Sequence, residues 1–397
     1  MLGDWRARLS EEVASTDGLL RLDPAWVARD WLPPGRRLGL AEAAYDVGER
    51  GFICERWLAS TTRADNLVGV ENEGLSNVRL TDGSTLDLAE ACTAAPDLIL
   101  GQKYADTHSG LGRLAKIFDY GARIPFHIHP PETQARRAGR NSKDEAYYFP
   151  PGVSLGNHPE SFFGLHPSAD REHAGPGILE ELQRWDGDSV LQFSRAYQLI
   201  PEDGYFIPSG VLHAPGTAVT IELQEESDAM AMFQALNAGK IIDKELLFKD
   251  VCSEDRCELG EAALLDWVDW KENTDPFFYE NHRTPPLPFR STEGATESWI
   301  LYGSAKFSGK RLVISPGWTD ISTENGVYSL LVWQGRGTIG GVGVQGGVPG
   351  ADELLVVHDR ATRALSVRNT GDVDLIVVKL FGPDINVDSP RPARHMP

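Results

Sequence analysis

Two histidines, His127 and His129, stand two positions apart in the segment PFHIH. On a β-strand the side chains of residues i and i+2 project from the same face, so both imidazoles could bind one divalent cation. A pair of surface histidines is the alternative, because an H-x-H pair alone is weak evidence for a metal site. Further donors elsewhere in the chain are therefore needed to support a metal site.

Glu145 and His213 are the candidates for those donors. Glu145 lies in KDEAYYF, a segment with strand propensity that could form the next strand. His213 follows the Pro- and Gly-rich turn of GYFIPSGVLHAPG and begins another strand. Three His and one Glu form a mixed nitrogen and oxygen set with positions open for water and substrate. We predict Zn²⁺ as the metal, with Fe²⁺, Mn²⁺, Co²⁺ or Ni²⁺ as alternatives that the ligand types do not distinguish.

Strand and turn signals dominate the rest of the chain. Segments rich in β-branched and aromatic residues alternate with Gly, Pro and Asp, as in SVLQFSRAYQLI and DELLVVHD. Short strands at this spacing predict a mainly β protein built from antiparallel sandwiches or barrels. Helical patterns are fewer, and they lie at residues 4–15, 86–94 and 177–185 and in the segments KELLFKDV and LGEAALLDWVDW.

The Pro-rich segment NHRTPPLPFRSTEG suggests a division of the chain into two units. We predict an N-terminal segment at 1–36, a metal-binding domain with helical insertions at 37–280 and a linker at 281–294. The domain at 295–397 lacks an H-x-H…E…H set. We therefore expect it to bind no metal and to serve packing or dimer contacts.

The charge balance excludes some classes of partner. The formal net charge of −20 argues against nucleic acid and anionic membranes as partners. No apolar run is long enough to span a bilayer, and the polar N-terminus lacks a secretory signal, so a cytoplasmic location is expected. Cys252 and Cys257 form a C-x4-C pair that we interpret, with Cys54 and Cys92, as reduced thiols.

The ordered motifs resemble those of a known family. H-x-H…E followed by P-x-G-x-x-H resembles the cupin superfamily. The longer segments RLAKIFDYGARIPFHIHPP, SKDEAYYF and EDGYFIPSGVLHAPGTAVTIELQEESD resemble type I phosphomannose isomerase, over roughly residues 40–250. The resemblance implies two jelly-roll β-barrels with a helical insertion. It also implies a metal-dependent aldose–ketose isomerase that acts on mannose- or fructose-type sugars, or their 6-phosphates, through a cis-enediol.

The resemblance also assigns residues to the metal site. His129, Glu145 and His213 match metal ligands of the family, and His127 stands where the family has a Gln ligand. Because His is the stronger ligand for these metals, this difference preserves the site.

Two further residues match positions beside the metal. Lys143 matches the family's Lys, which would provide a fixed positive charge and could transfer a proton between substrate oxygens. Glu222 matches an acidic residue of the sugar site and is the candidate general base. The alternative is that Glu222 only hydrogen-bonds a sugar hydroxyl or a ligand histidine.

One position departs from the family pattern. Met232 stands where the family places an Arg implicated in catalysis, and a thioether cannot stabilise an oxyanion. Either another cation substitutes, or the substrate or reaction has changed. The basic stretch that contains Arg136, Arg137 and Arg140 is either a solvated loop or the source of that cation.

Two other functions stay open on the sequence alone. One is a non-catalytic sugar-binding or regulatory cupin, and the other is an Fe-dependent cupin oxygenase. In each case the expected ligand is a small molecule, and the protein is a monomer or a homodimer. Four aromatic residues could stack on a sugar or belong to the core, namely Tyr147, Tyr148, Phe149 and Tyr205.

Overall fold

The structure, a computed structural model, describes residues 2–396. The strands of the first part of the chain are β1 (Leu19–Asp23), β2 (Ala25–Arg29), β3 (Phe52–Leu58), β4 (Asn77–Arg79), β5 (Thr85–Asp87), β6 (Arg113–Phe118), β7 (His127–Ile128), β8 (Glu145–Tyr148), β9 (Glu160–Leu165), β10 (Ser194–Gln198), β11 (Gly204–Ile207), β12 (His213–Ala214), β13 (Thr220–Glu225), β14 (Ala231–Met232), β15 (Leu236–Asn237) and β16 (Lys240–Ile241). Those of the second part are β17 (Leu287–Thr292), β18 (Ala295–Leu301), β19 (Ser308–Ile314), β20 (Thr319–Ser322), β21 (Tyr328–Gln334), β22 (Arg336–Ile339), β23 (Val342–Gln345), β24 (Glu353–Val356), β25 (Leu365–Asn369) and β26 (Leu375–Phe381).

The helices are short apart from two. The α-helices are α1 (Leu2–Ser15), α2 (Leu88–Ala94), α3 (Pro96–Ile99), α4 (Gln102–Ala105), α5 (Glu132–Arg137), α6 (Arg171–Arg184), α7 (Glu245–Phe248), α8 (Ser253–Leu259), α9 (Trp270–Asn273), α10 (Phe278–His282) and α11 (His358–Ala361). Single 3₁₀ turns or short 3₁₀ helices lie at Glu42–Ala44, Gly48–Arg50, Ser189–Phe193 and Gly260–Asp266. The predicted helices at 4–15, 86–94 and 177–185 correspond to α1, α2 and α6.

The first barrel consists of two antiparallel sheets. One sheet has the strand order β11-β8-β13-β6-β3-β2, and the other has the order β10-β9-β12-β7-β14. Their inner faces meet in an aromatic core that includes Phe118 and Tyr147 from the first sheet and Phe163 from the second. Helices α6 to α8 cover the outer face of the second sheet, where Ile178 and Leu182 share a core cluster with Ile128.

The second barrel has the same two-sheet design. A large sheet with the order β17-β18-β19-β26-β21-β24-β1-β4-β5 packs against the sheet β20-β25-β22-β23. The large sheet also packs on the first barrel, where Leu331 and Val378 meet Ile117 and Ile221. The four sheets therefore form successive layers. Because β6 and β13 are central strands of a sheet covered on both faces, nearly all of their residues are buried.

The mainly β architecture with two jelly-roll barrels and a helical insertion is confirmed. Two details differ from the expectation for the chain segments. Strand β1, from the predicted N-terminal segment, pairs with β24 of the second barrel, with Leu20 opposite Leu355. Leu287–Thr292, inside the predicted linker, forms β17 and pairs with β18. The proposed domain boundaries themselves stay a prediction.

The described part of the chain, residues 2–396, contains no helix that is long and apolar enough to cross a membrane. All four cysteines are free thiols, and Cys54 and Cys92 are buried while Cys257 is exposed.

Candidate metal centre

The three histidines of the predicted site each donate one ring N–H to a backbone carbonyl. Nδ1 of His127 lies 2.7 Å from the oxygen of Pro125, and Nδ1 of His213 lies 2.9 Å from that of Val211. Nδ1 of His129 lies 2.8 Å from the oxygen of Ala229. A carbonyl can only accept, so each neutral ring carries its proton on Nδ1 and presents a lone pair on Nε2.

These rings converge although they come from distant parts of the chain. β7 and β12 are neighbours, and His127 is directly opposite His213. The ring centroids of that pair are 4.0 Å apart, and those of His129 lie 5.1 Å from His127 and 5.0 Å from His213. The ligand nitrogens all lie within 4.8 Å of one another, so the group could hold a metal ion.

Burial favours the neutral form of His127 and His129. All three are at most 5% exposed. Burial and the neighbouring imidazoles hold the pKa of His127 well below its usual range. Burial and the ammonium of Lys143 lower the pKa of His129 to about 3. Neutral imidazoles are the form that binds metals.

Glu145, on β8 of the facing sheet, reaches this group. Its Oε1 lies 2.8 Å from Nε2 of His213, and its Oε2 lies 3.0 Å from Nε2 of His129. The ammonium of Lys143 lies beside Oε2 and His129, but Oε1 and Nε2 of His213 both carry lone pairs, which repel at this distance unless a cation lies beside them. Nε2 of His213 and Oε2 of Glu145 also have no partner in hydrogen-bond geometry within residues 2–396. The donor set therefore fits a divalent cation held by three nitrogens and a carboxylate.

Lys143 and Glu222 lie next to these donors. Nζ of Lys143 is 3.0 Å from Oε2 of Glu145, 3.2 Å from Nε2 of His129 and 3.4 Å from Oε1 of Glu222. Burial opposes the charge of Lys143, but the carboxylates of Glu145 and Glu222 outweigh it and raise the pKa of the ammonium. Burial raises the pKa of Glu222 to about 8, against the opposing charges of Lys116 and Lys143.

Lys116 is a neighbour of Glu222 that the sequence analysis did not single out. It lies opposite Glu222 in the β6–β13 pairing, and its Nζ is 3.4 Å from Oε2 of Glu222. A single lysine inside the otherwise apolar strand segment LAKIF was the available signal. Lysines are rarely fully buried unless they are paired, so its position in that strand indicates a carboxylate partner.

The small cavity beside these residues, called here the reaction pocket, has a volume of about 30 Å³ and lies against the inner face of the six-stranded sheet. Its charged lining comprises Arg29, Glu55, Lys116, Lys143, Glu222 and Asp228, and its aromatic and apolar lining comprises Trp31, Phe118, Tyr120, Ile124, Tyr147 and Met230. His127 and His129 also line it. Arg29, Glu55 and Asp228 come from strands and loops far apart in the chain, and no spacing in the sequence joins them.

The four predicted aromatic residues have different environments. Tyr147 lines the reaction pocket, and its hydroxyl donates to Glu145. Phe149 and Tyr205 belong to the buried core between the two sheets. Tyr148 faces the second barrel, where its hydroxyl accepts from Arg311 at 2.8 Å. Of the four, only Tyr147 is thus placed to meet a ligand in this pocket.

The three arginines of the basic stretch point away from the reaction pocket. Each pairs with a nearby carboxylate: Arg136 with Glu132, Arg137 with Asp255 at 2.6 Å, and Arg140 with Asp65 at 2.7 Å and Asp250 at 3.1 Å. Their side chains are 46 to 76% exposed. The possibility that they replace the missing family Arg is therefore not supported.

Met232 lies beside the metal site but packs with apolar residues. In the β7–β14 pairing it is opposite His127. Its side chain is fully buried in the core cluster under the helical insertion. Met230, two residues earlier, lines the reaction pocket instead. The wall of the pocket near this position is therefore apolar.

Two face-to-face sheets per barrel, with a buried three-His, one-Glu cluster in the first, define a bicupin fold with a candidate metal centre. No family model matches the sequence, and no curated protein matches it. Solved structures do match in fold. Mannose 6-phosphate isomerase from Bacillus subtilis matches at 15% identity with a TM-score of 0.64, over 91% of this chain and 99% of that one.

Two other matches are of the same kind. A variant of phosphomannose isomerase from Salmonella typhimurium has 12% identity and a TM-score of 0.62, over 92% of this chain and 99% of that one. An Archaeoglobus fulgidus protein provisionally described as a mannosephosphate isomerase has 17% identity and a TM-score of 0.60, over 92% of this chain and 97% of that one. The resemblance to type I phosphomannose isomerase is thereby confirmed at the level of the fold.

Proposed function

We propose that this protein is a metal-dependent aldose–ketose isomerase that acts on mannose- or fructose-type sugars through a cis-enediol. The observation that carries the proposal is the convergence of three imidazoles with Glu145, next to the Lys143–Glu222 pair. The fold shared with mannose 6-phosphate isomerases supports the same reaction class.

The metal in this proposal is held by His127, His129, Glu145 and His213, with Zn²⁺ as the first candidate. When bound, a divalent metal would supply positive charge that stabilises negative charge on the substrate oxygens. The buried Nδ1–H bonds to backbone carbonyls would hold the rings in the orientation and tautomer that binding requires.

Glu222 is the proposed general base. It is buried between Lys116 and Lys143, each 3.4 Å away, and its Oε1 has no hydrogen-bond partner within the described chain. Oε1 would take the proton from C2 of the aldose and return it to C1, which produces the ketose through the enediol.

Lys143 and Lys116 support this transfer. The ammonium of Lys143, held between Glu145 and Glu222, would stabilise the negative charge that develops on the enediol oxygens. It could also pass a proton between the two oxygens. Lys116 holds the carboxylate of Glu222 in place from the other side.

Deuterium exchange tests this function directly. Protein analysed for bound metal is incubated in deuterated buffer with mannose, fructose and their 6-phosphates. Incorporation of deuterium at C1 or C2 is expected, together with about one metal ion per chain. Metal-loaded protein that neither interconverts nor exchanges a proton on a broad panel of aldoses and ketoses contradicts the proposal.

A second candidate is a non-catalytic sugar-binding protein, and the apolar setting of Met232 is the observation that favours it. A binding protein would gain thermal stability from a sugar without turning it over. Thermal shift measured on the same samples as the exchange assay separates the two candidates.

A further inference from the structure

The positively charged side chains of the reaction pocket are all paired with carboxylates of the protein. Nε of Arg29 is 2.8 Å from Oε1 of Glu55, and its Nη2 is 3.3 Å from Oε2 of Glu55 and from Oδ1 of Asp228. Its Nη1 donates to Oδ1 of Asn66 at 2.6 Å. The guanidinium is only 3% exposed. A buried arginine satisfied in this way has no donor to offer a phosphate.

Lys116 and Lys143 are likewise paired with carboxylates. Nζ of Lys116 lies 3.4 Å from Glu222 and 3.7 Å from Glu55. Nζ of Lys143 lies between Glu145 and Glu222. Both would have to leave a carboxylate buried and unpaired in order to bind a phosphate, which is costly in a low-dielectric site.

The adjoining cavity offers no better phosphate site. It shares Asp228 with the reaction pocket, and its cations Arg63 and Arg140 stand among three carboxylates, Asp65, Glu226 and Asp228. Arg140 is already paired with Asp65. Asp65 and Asp228 are also paired with Lys249 and Arg29, so the surroundings of this cavity carry no surplus of positive charge for a phosphate dianion.

The uncharged part of the lining suits the C–H face of a sugar. Trp31 and Tyr120 are stacked, with ring centroids 5.7 Å apart and an angle of 25° between the rings. Both line the reaction pocket, as does Met230. Aromatic faces carry a negative quadrupole and large apolar area, so they attract C–H groups and gain nothing from a phosphate.

We propose that the substrate is an uncharged sugar rather than a sugar phosphate, with Trp31 contacting the sugar and Asp228 holding Arg29 away from any anion. This inference rests on the proposed isomerase function. It goes beyond that function because the Bacillus subtilis enzyme with a matching fold is named for a 6-phosphate substrate.

The test compares kcat/KM of the metal-loaded protein for mannose and fructose with that for mannose 6-phosphate and fructose 6-phosphate. The free sugars should be preferred by at least about tenfold, a difference of about 1.4 kcal/mol in transition-state binding. An equal or higher kcat/KM for the 6-phosphates overturns the inference and leaves the isomerase function standing. Absence of turnover on both sugar classes removes the isomerase function, and the inference with it.

Three variants test which residues set the preference for free sugars over 6-phosphates. D228N should raise the ratio of 6-phosphate to free-sugar kcat/KM, because Arg29 loses one of its two carboxylate partners. W31A should raise KM for free sugars by about tenfold and change kcat little. R63A serves as the control and should leave the ratio unchanged. A selective loss of 6-phosphate activity in R63A would contradict the inference, as would a D228N protein with wild-type melting temperature and metal content but an unchanged ratio.

Discussion

His127 and His213 lie directly opposite each other on neighbouring strands, and each donates its Nδ1–H to the carbonyl two residues earlier in the chain. The local backbone thus sets the tautomer of both rings, and the strand pairing brings their Nε2 atoms together. This relationship makes the two histidines one unit, so that loss of either should disable the metal site.

Substitution of His213 should therefore remove the metal. In H213A, metal affinity is expected to fall by at least about 10- to 100-fold, the range seen even for residues that only support metal ligands. Metal content after dialysis measures this. H173A is the matched control, since that side chain is 75% exposed and pairs only with Asp170. Equal metal content in H213A and H173A would contradict the assignment.

Metal removal should destabilise the first barrel. Without a metal ion, the lone pairs on Nε2 of His213 and Oε1 of Glu145 face each other at 2.8 Å. Chelation should lower the melting temperature, and metal added at about 100 times its Kd should restore about 2.7 kcal/mol of stability. The H213A protein provides the comparison. If the chelator lowers the melting temperature of H213A as much as that of the wild type, the loss of stability does not come from the predicted metal site.

Glu222 should affect turnover without affecting metal binding. E222Q keeps the shape of the side chain and removes the proton acceptor, so kcat should fall by about 10²- to 10⁴-fold. Metal content and KM should stay close to those of the wild type. If E222Q retains kcat, Glu222 only hydrogen-bonds its neighbours, and the base must be sought elsewhere.

The cysteines should differ in reactivity. Burial raises the pKa of the Cys92 thiol to about 12 and raises that of Cys54 further, so their thiolates are absent near neutral pH. Alkylation of the folded protein at pH 8 should modify Cys257 first and Cys252 more slowly, and mass spectrometry can locate the adducts. Unfolded protein should react at all four positions. Rapid modification of Cys54 in folded protein would show that the core opens.

The contact between the barrels depends on a buried ion pair. Arg56 on β3 forms two 2.7 Å hydrogen bonds with Asp352, beside Glu353 on β24. D352A should lower the free energy of unfolding by about 1.5–3 kcal/mol, because the buried guanidinium loses two hydrogen bonds but keeps Glu353 as a partner. The exposed pair of Arg6 and Asp97 is the control, and D97A should cost about 1 kcal/mol or less. Denaturant unfolding measures both variants.

The candidate metal donors and the strand segments near them could be predicted from the sequence, and their role as metal ligands stays a prediction. A period of two placed His127 and His129 on one face, and turn residues located the strand of His213. These features are local, so they can be inferred from neighbouring residues. The strand-rich pattern likewise predicted a mainly β fold of antiparallel sandwiches or barrels, and the motif resemblance implied the two jelly-roll barrels.

The residues that surround those donors could not be predicted from the sequence and are known only from the tertiary structure. Pairing of distant strands put Lys116 opposite Glu222 and joined β1 to the second barrel. Arg29 meets Asp228 across 199 positions of the chain. The basic stretch around Arg136 is exposed to solvent, and Met232 belongs to an apolar core. Such contacts depend on which sheets pack together. Sheet packing depends on the apolar surface buried over the whole chain rather than on any local sequence pattern.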